Sequence, residues 1–183
     1  MRPLVGTRVT PNHLTTLRLA TGLVAAACYA TTDTAWHFTG SAAFLFSMLL
    51  DRADGELARL SGKFSRHGHQ YDLIVDALSN GLAFFAIGFG VRNGALGNLS
   101  IALGTLAFVS VLVVLGVVLR GESKLGSGTI ALPPMGRFDP DDAMIAVPIA
   151  MVFGAGVPLI VAAAIGTPIM AAVFLIRFRK HLF

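Results

Sequence analysis

Charged residues and cysteines are scarce in this sequence of 183 residues. Charged side chains make up 13% of the chain and apolar side chains 55%, whereas soluble domains carry about 25% charged residues. A soluble domain of this size would need more charge to cover its surface, so the composition indicates a membrane protein. The single cysteine, Cys28, excludes an internal disulfide and a thiolate metal cluster. The net charge of +4 comes without a basic run, which argues against nucleic-acid binding.

Apolar segments recur along the whole chain, and a helix needs about 20 mostly apolar residues to cross a bilayer. We expect residues 1–183 to form one all-α integral membrane domain with six transmembrane helices, preceded by a short interfacial N-terminal segment. The predicted helices cover residues 13–30, 35–60, 68–91, 98–120, 140–154 and 157–177. Residues 121–136 form the one long connection, rich in Gly, Ser and Pro, and connections of that length are often functional.

Basic residues are distributed asymmetrically around these six segments. If the N-terminus faces the cytoplasm, the outer loops hold only Arg92. The inner ends then hold Arg2, Arg8, Arg59, Lys63, Arg66, Arg120, Lys124, Arg137, Arg177, Arg179 and Lys180. This pattern follows the positive-inside rule and predicts that both termini are cytoplasmic.

Four aspartates interrupt two consecutive apolar segments. Asp51 and Asp54 are three residues apart near the inner end of helix 2, and Asp72 and Asp76 are four apart near the inner start of helix 3. Both spacings place a pair on one helix face. We expect a short turn to pack the two helices antiparallel, so that all four carboxylates meet near the cytoplasmic surface.

Four unpaired carboxylates at one site would repel each other unless cations bind between them. Hard oxygen ligands favour Mg²⁺, Mn²⁺ or Ca²⁺, and two divalent ions would balance four negative charges. Taken singly, each aspartate has an alternative interpretation as a helix cap, a solvated residue or the partner of a nearby arginine. The convergence of four acids, with the small residues Gly55, Ala58 and Gly68 between them, favours a metal and ligand site.

The order of residues in this region resembles a known family motif. The segment Asp51-Arg52-Ala53-Asp54-Gly55-Glu56-Leu57-Ala58-Arg59 is followed at fixed spacing by Gly68, Asp72 and Asp76. Every fixed position matches D-x2-D-G-x2-A-R-x8-G-x3-D-x3-D, so the chain resembles the CDP-alcohol phosphotransferases. The motif spans residues 51–76, and the predicted six-helix arrangement extends the resemblance to nearly the whole chain.

The resemblance implies an activity and roles for individual residues. It implies transfer of a phosphoalcohol group from a CDP-alcohol to a second alcohol, with release of CMP and two bound Mg²⁺ or Mn²⁺ ions. Asp51, Asp54 and Asp72 would bind the metals with a share from Asp76, which would also deprotonate the acceptor hydroxyl. The residues expected around the cytidine diphosphate are Asn12, Gly55, Ala58, Arg59, Ser65 and Gly68. Arg59 suits the diphosphate because a guanidinium makes paired hydrogen bonds.

The resemblance also bears on substrates, partners and location. Members of this size favour CDP-diacylglycerol as donor, a polar alcohol as acceptor and a phospholipid as product, in a bacterial inner membrane with the site facing the cytoplasm. A homodimer is an expectation of the family alone. For the acceptor we consider the basic residues Arg120, Lys124 and Arg137, although the positive-inside rule explains them equally well. Asp141 and Asp142 cap the next helix or favour an acceptor with an amine or several hydroxyls.

Three alternatives stay open at this stage. The same chemistry could use a small CDP-alcohol donor and a lipid alcohol acceptor. A cation-coupled transporter would also place acids in membrane helices, although it predicts acids near mid-membrane and an internal repeat, and neither is visible. A scaffold without activity would not need the complete motif. His67 and His69 flank Gly68; we expect them to lie at a helix interface and assign them no role.

Overall fold

The computed structural model describes residues 9–62, 65–130 and 140–182, and every regular element in these ranges is helical. A short 3-10 helix at Pro140–Ile145 precedes the fifth α-helix. The α-helices are α1 at Pro11–Tyr29, α2 at Ala35–Ser61, α3 at Arg66–Gly90, α4 at Leu99–Leu125, α5 at Ala146–Val152 and α6 at Gly156–Leu182. The all-α prediction is therefore confirmed for the described part of the chain.

Three of these helices are long and apolar enough to cross a membrane. Within the described residues they are the segments Arg66–Asn93, Leu99–Leu125 and Gly156–Arg179, with a shorter apolar helix at Ala143–Val152. The C-terminal half of α2 carries the charged part of the motif, which lowers its apolar character. The count of six crossings and the cytoplasmic placement of both termini stay predictions.

Helix α1 packs beside the two helices that carry the aspartates. It packs against both α2 and α3, while α2 and α3 make little direct contact over the described residues. The expectation that α2 and α3 pack directly on each other was therefore wrong. A charged cavity lies between the C-terminal half of α2 and the N-terminal half of α3, and α1 packs against both helices. Helix α4 packs against α3 and α6, and α5 packs against α2.

Small side chains allow these close approaches. A Cβ atom added to Gly22 of α1 would lie 2.8 Å from the Ser79 hydroxyl of α3. A Cβ at Gly104 of α4 would lie 2.8 Å from the Phe84 carbonyl oxygen of α3. Helices in lipid associate through such close packing rather than through a hydrophobic driving force. The Gly22 contact sets the depth at which α1 presents its polar residues to α3.

The region after α4 differs from the prediction in two ways. Helix α4 does not stop at residue 120 but continues to Leu125, because Glu122 finds hydrogen-bond partners and Gly121 packs under Ile130. The predicted fifth helix begins as a 3-10 helix and becomes α-helical at Ala146. Pro148 explains that start, since proline has no N–H to donate and is tolerated in the first turn of an α-helix.

Candidate active site

The aspartates of α2 and α3 converge in the structure, as the sequence predicted. Carboxylate oxygens of Asp51, Asp54 and Asp72 all lie within 4.8 Å of one another. Asp54 is the buried member at 4% exposure, and Asp51 and Asp72 are half-buried. The cluster lines a cavity of about 460 Å³ together with Asp76 and the arginines Arg18, Arg52 and Arg59.

A buried arginine from α1 reaches into this cluster. The Arg18 guanidinium lies 2.5 Å from Asp51 Oδ1, 3.3 Å from Asp72 Oδ1 and 2.5 Å from Asp76 Oδ1. Its side chain is only 5% exposed, and the Ser47 hydroxyl donates to its carbonyl oxygen at 3.0 Å. One fixed positive charge therefore offsets part of the negative charge of the four aspartates.

Helix α1 also provides a partner for the remaining aspartate. The Thr15 hydroxyl donates to Asp54 Oδ2 at 2.7 Å. Thr15 and Arg18 are three residues apart, which places them on the same face of α1. This one face thus supplies a hydrogen-bond or charge partner to all four carboxylates. It also explains why α1 lies between α2 and α3.

Asp76 has an asymmetric environment. Its Oδ1 atom accepts a hydrogen bond from Asn80 Nδ2 at 2.8 Å as well as the contact from Arg18. Asn80 follows Asp76 by one helical turn, so α3 itself sets this geometry. No described residue donates a hydrogen bond to Oδ2 of Asp76. The carboxylate is therefore anchored through one oxygen and can accept a proton from a ligand through the other.

A second cavity, of about 210 Å³, opens on the other side of the cluster. It shares Asp54, Gly55, Arg59 and Asp72 with the first. Its wall contains all six residues expected to surround the nucleotide, Asn12, Gly55, Ala58, Arg59, Ser65 and Gly68. Pro11, Thr15 and His69 complete it. The ends of three helices thus form a pocket beside the carboxylates.

The glycines of this pocket have different structural roles. A Cβ on Gly55 would meet no atom within 4 Å, so the absence of a side chain leaves open space in the cavity. A Cβ on Gly68 would lie 2.9 Å from Ser65 Oγ and 3.1 Å from Asn12 Oδ1. The Gly68 amide donates to Ser65 Oγ at 2.9 Å, which caps the start of α3. Gly68 therefore lets the capping serine and Asn12 approach each other.

A third cavity, of about 470 Å³, meets the charged one at Asp76, Asn80 and Met144. Its other walls come from α3 to α6 and are mostly apolar, including Phe84, Val111, Val114, Val147, Leu159 and Met170. Asp76 consequently stands at the boundary between a charged chamber and an apolar one. An apolar chamber of this kind suits a hydrocarbon chain.

The comparison with protein families agrees with this geometry. The CDP-alcohol phosphatidyltransferase family matches residues 8–178. The chain belongs to this family. A search of curated proteins finds no match. As a CDP-alcohol phosphatidyltransferase, the protein transfers a phosphoalcohol group from a CDP-alcohol, and its apolar helices fit a membrane location.

CDP-alcohol phosphatidyltransferases use divalent metal ions, and the donor set of this chain fits such an ion. Asp51, Asp54 and Asp72 offer hard carboxylate oxygens, which Mg²⁺ and Mn²⁺ prefer. Carboxylate oxygens of these three residues lie within 4.8 Å of one another and could hold a shared ion. Arg18 contacts two of these three carboxylates, so the guanidinium must share them with the ion or move aside.

The described residues considered for the acceptor do not line the site. Arg120 and Lys124 lie at exposed positions in the last turns of α4 and line none of the three cavities. Arg137 lies outside the described residues, as do the side chains of Asp141 and Asp142. Their proposed roles stay predictions.

The sequence analysis missed Thr15, Arg18, Asn80 and Glu122 as residues of or near this site. A signal existed for Arg18, because a basic residue inside an apolar helix usually has a partner and a function. Thr15 and Asn80 carried no such signal, since hydroxyl and amide side chains are common in membrane helices. Thr15 is identified as a site residue only by the structure, in which α1 packs against both α2 and α3.

Proposed function

We propose that this protein synthesises a phospholipid by moving a phosphatidyl group from CDP-diacylglycerol to a hydroxyl of a polar alcohol, with release of CMP. The observation that carries the proposal is the meeting of three chambers at the aspartate cluster. One chamber suits the nucleotide, one the charged diphosphate and one a hydrocarbon chain. A substrate that combines these parts is a lipid attached to CDP.

The nucleotide end of the donor would lie against Asn12, Gly55, Ala58, Arg59, Ser65 and Gly68. Arg59 borders both the nucleotide cavity and the charged cavity, which is where the diphosphate of such a donor would pass. A guanidinium can hold a phosphate through two parallel hydrogen bonds. Asp51, Asp54, Asp72 and Asp76 would hold two Mg²⁺ or Mn²⁺ ions, which would neutralise charge on the diphosphate when bound.

Asp76 is the proposed general base. Its Oδ2 would take the proton of the acceptor hydroxyl, while Arg18 and Asn80 hold Oδ1. The acceptor oxygen then forms a bond to the phosphorus that carries the lipid alcohol. The bond from that phosphorus to the bridging oxygen of CMP breaks, and CMP leaves with the electron pair. Positioning and charge stabilisation supply most of the rate in phosphoryl transfer.

The apolar chamber beside Asp76 also supports a second candidate, in which the donor is a small CDP-alcohol and the acceptor is a lipid alcohol. In that case the hydrocarbon chain would belong to the molecule that Asp76 deprotonates. The two candidates share residues and chemistry and differ only in which substrate carries the lipid. The transporter alternative has no support from the family match.

An assay of CMP release separates these candidates. Purified protein in detergent with Mg²⁺ or Mn²⁺ would receive either CDP-diacylglycerol with a panel of polar alcohols, or CDP-choline and CDP-ethanolamine with diacylglycerol. The proposal predicts CMP release and a new phospholipid in the first arm only. Product in the second arm alone would establish the second candidate, and no CMP in either arm would contradict both.

A further inference from the structure

A buried carboxylate lies near the site but outside the motif. Glu122, in the last turns of α4, is only 5% exposed. Burial of a charge is unfavourable unless partners satisfy it. Glu122 has two such partners: His69 Nε2 lies 3.0 Å from Oε2 and 3.2 Å from Oε1, and the Gly128 amide donates to Oε1 at 2.7 Å.

His69 is the member of this group that faces the proposed nucleotide. It lies in the first turn of α3 and lines the same cavity as Gly55, Arg59 and Gly68. Glu122 does not line that cavity. The carboxylate therefore holds the imidazole from the side away from the nucleotide cavity.

The contact with Glu122 determines which ring nitrogen carries hydrogen. A carboxylate only accepts hydrogen bonds, so Nε2 of His69 is the donor. In the neutral ring Nδ1 then has a lone pair, and no described residue donates to it. A cytidine nucleotide offers donors of the matching kind, the ribose hydroxyls and the exocyclic amino group of cytosine.

We propose that His69 binds the nucleoside part of the CDP-alcohol by accepting a hydrogen bond at Nδ1, with Glu122 as the positioning residue. This inference rests on the proposed function, because it assigns the cavity of His69 to the nucleotide. It adds a specificity contact at a variable position of the family motif. It also gives His69 a role that the sequence analysis did not assign.

Glu122 has a structural role that the test must separate from this one. Its bond to Gly128 ties down the segment after α4, where Gly128 has a φ of +76° and Ile130 is buried. A Cβ on Gly121 would lie 2.7 Å from the Ile130 side chain, so this segment folds tightly onto α4. A purely structural role would lower the melting temperature of variants and leave nucleotide affinity unchanged.

The test is calorimetric titration of CMP into purified protein with Mg²⁺. His69→Leu should raise the Kd of CMP about 5- to 30-fold, the effect of losing one polar contact. Glu122→Gln keeps one acceptor oxygen and should raise the Kd about two- to fivefold. In the His69→Leu background Glu122→Gln should add no further loss, because it acts through His69. The matched control is His67→Leu, an exposed histidine that lines none of the three cavities.

Analogues identify the donor group on the nucleotide. If Nδ1 accepts from the ribose 2′-hydroxyl, dCMP should bind wild type and His69→Leu with the same affinity; if it accepts from the amino group, UMP should do so. Wild-type affinity for CMP in the His69→Leu variant would overturn the inference alone. Failure of the wild type to bind CMP would overturn the proposed function together with it.

Discussion

Replacement of Arg18 by methionine tests how the aspartate cluster is held together without metal. Methionine retains most of the length of the side chain and removes the charge. In the structure Arg18 contacts Asp51, Asp72 and Asp76 from a nearly fully buried position. Its loss would leave the carboxylates to repel each other, with no other buried arginine or lysine among the described residues.

The expected loss in free energy of unfolding follows from the exposure of the carboxylates. Removing one partner of a fully buried ion pair costs about 3–5 kcal/mol. Here the side chains of Asp51, Asp72 and Asp76 are 32%, 40% and 35% exposed. Water therefore screens part of the repulsion, and we expect a loss of about 2–3 kcal/mol in free energy of unfolding. For a chain of this size that corresponds to a fall in Tm of about 4–12 °C.

Metal should reverse much of this loss. A divalent ion between the carboxylates restores positive charge and no longer competes with the guanidinium for Asp51 and Asp72. A ligand at a hundred times its Kd stabilises the folded state by about 2.7 kcal/mol. The Mg²⁺-induced rise in Tm should therefore be larger in Arg18→Met than in the wild type, and Mn²⁺ should bind the variant more tightly.

The assay is thermal unfolding in detergent, in EDTA and then across a Mg²⁺ titration. Arg92→Met is the matched control, because Arg92 stacks on Phe89 at 4.0 Å and contacts none of the four aspartates. Arg18→Lys keeps the charge and should behave more like the wild type than Arg18→Met does. An unchanged Tm in EDTA, or an equal response to Mg²⁺ in Arg18→Met and wild type, would refute the reasoning.

Three further predictions concern turnover and substrate binding. Asp76→Asn should still bind CMP and still bind Mn²⁺ through Asp51, Asp54 and Asp72, yet lose at least about a hundredfold in kcat as a missing general base; retained turnover would remove the base assignment. Gly55→Ala should fold normally but raise the Kd of CMP, because its methyl group enters open space in the cavity. The control is Gly116→Ala, at another open helical position, which should leave CMP binding unchanged. Equal CMP affinity in both variants would argue that the nucleotide lies elsewhere. Asp141→Ala and Asp142→Ala should raise the acceptor KM if these residues select an amine or polyol acceptor, and an unchanged KM would end that hypothesis.

The helical fold and the convergence of the aspartates were predictable because both depend on local periodicity. Apolar runs identify the helices, and spacings of three and four residues place Asp51 with Asp54 and Asp72 with Asp76. Four of the residues expected around the nucleotide, Gly55, Ala58, Arg59 and Gly68, came from the family motif, and Asn12 and Ser65 came from the wider resemblance. The structure places all six around one cavity. The packing of α1 between α2 and α3 left no such pattern, so direct packing of α2 on α3 was the wrong expectation.

The end of α4 shows a different limit of sequence reasoning. Gly121 and the polar residues after Arg120 suggested a loop, because glycine and charge usually end an apolar helix. The helix continues because the Glu122 carboxylate accepts hydrogen bonds from His69, more than fifty positions earlier in the chain, and from the Gly128 amide. Tertiary partners of this kind override local propensity.

The most direct test of the whole account is CMP release from CDP-diacylglycerol and a polar alcohol by wild type, Asp51→Asn and Asp33→Asn, each with Mg²⁺ and with EDTA. Asp33 is an exposed aspartate before α2 that accepts a hydrogen bond from the Ala35 amide, a role asparagine can keep. The account predicts release by wild type and Asp33→Asn with Mg²⁺ only, and loss of release in Asp51→Asn. Release in EDTA, or undiminished release by Asp51→Asn, would contradict it.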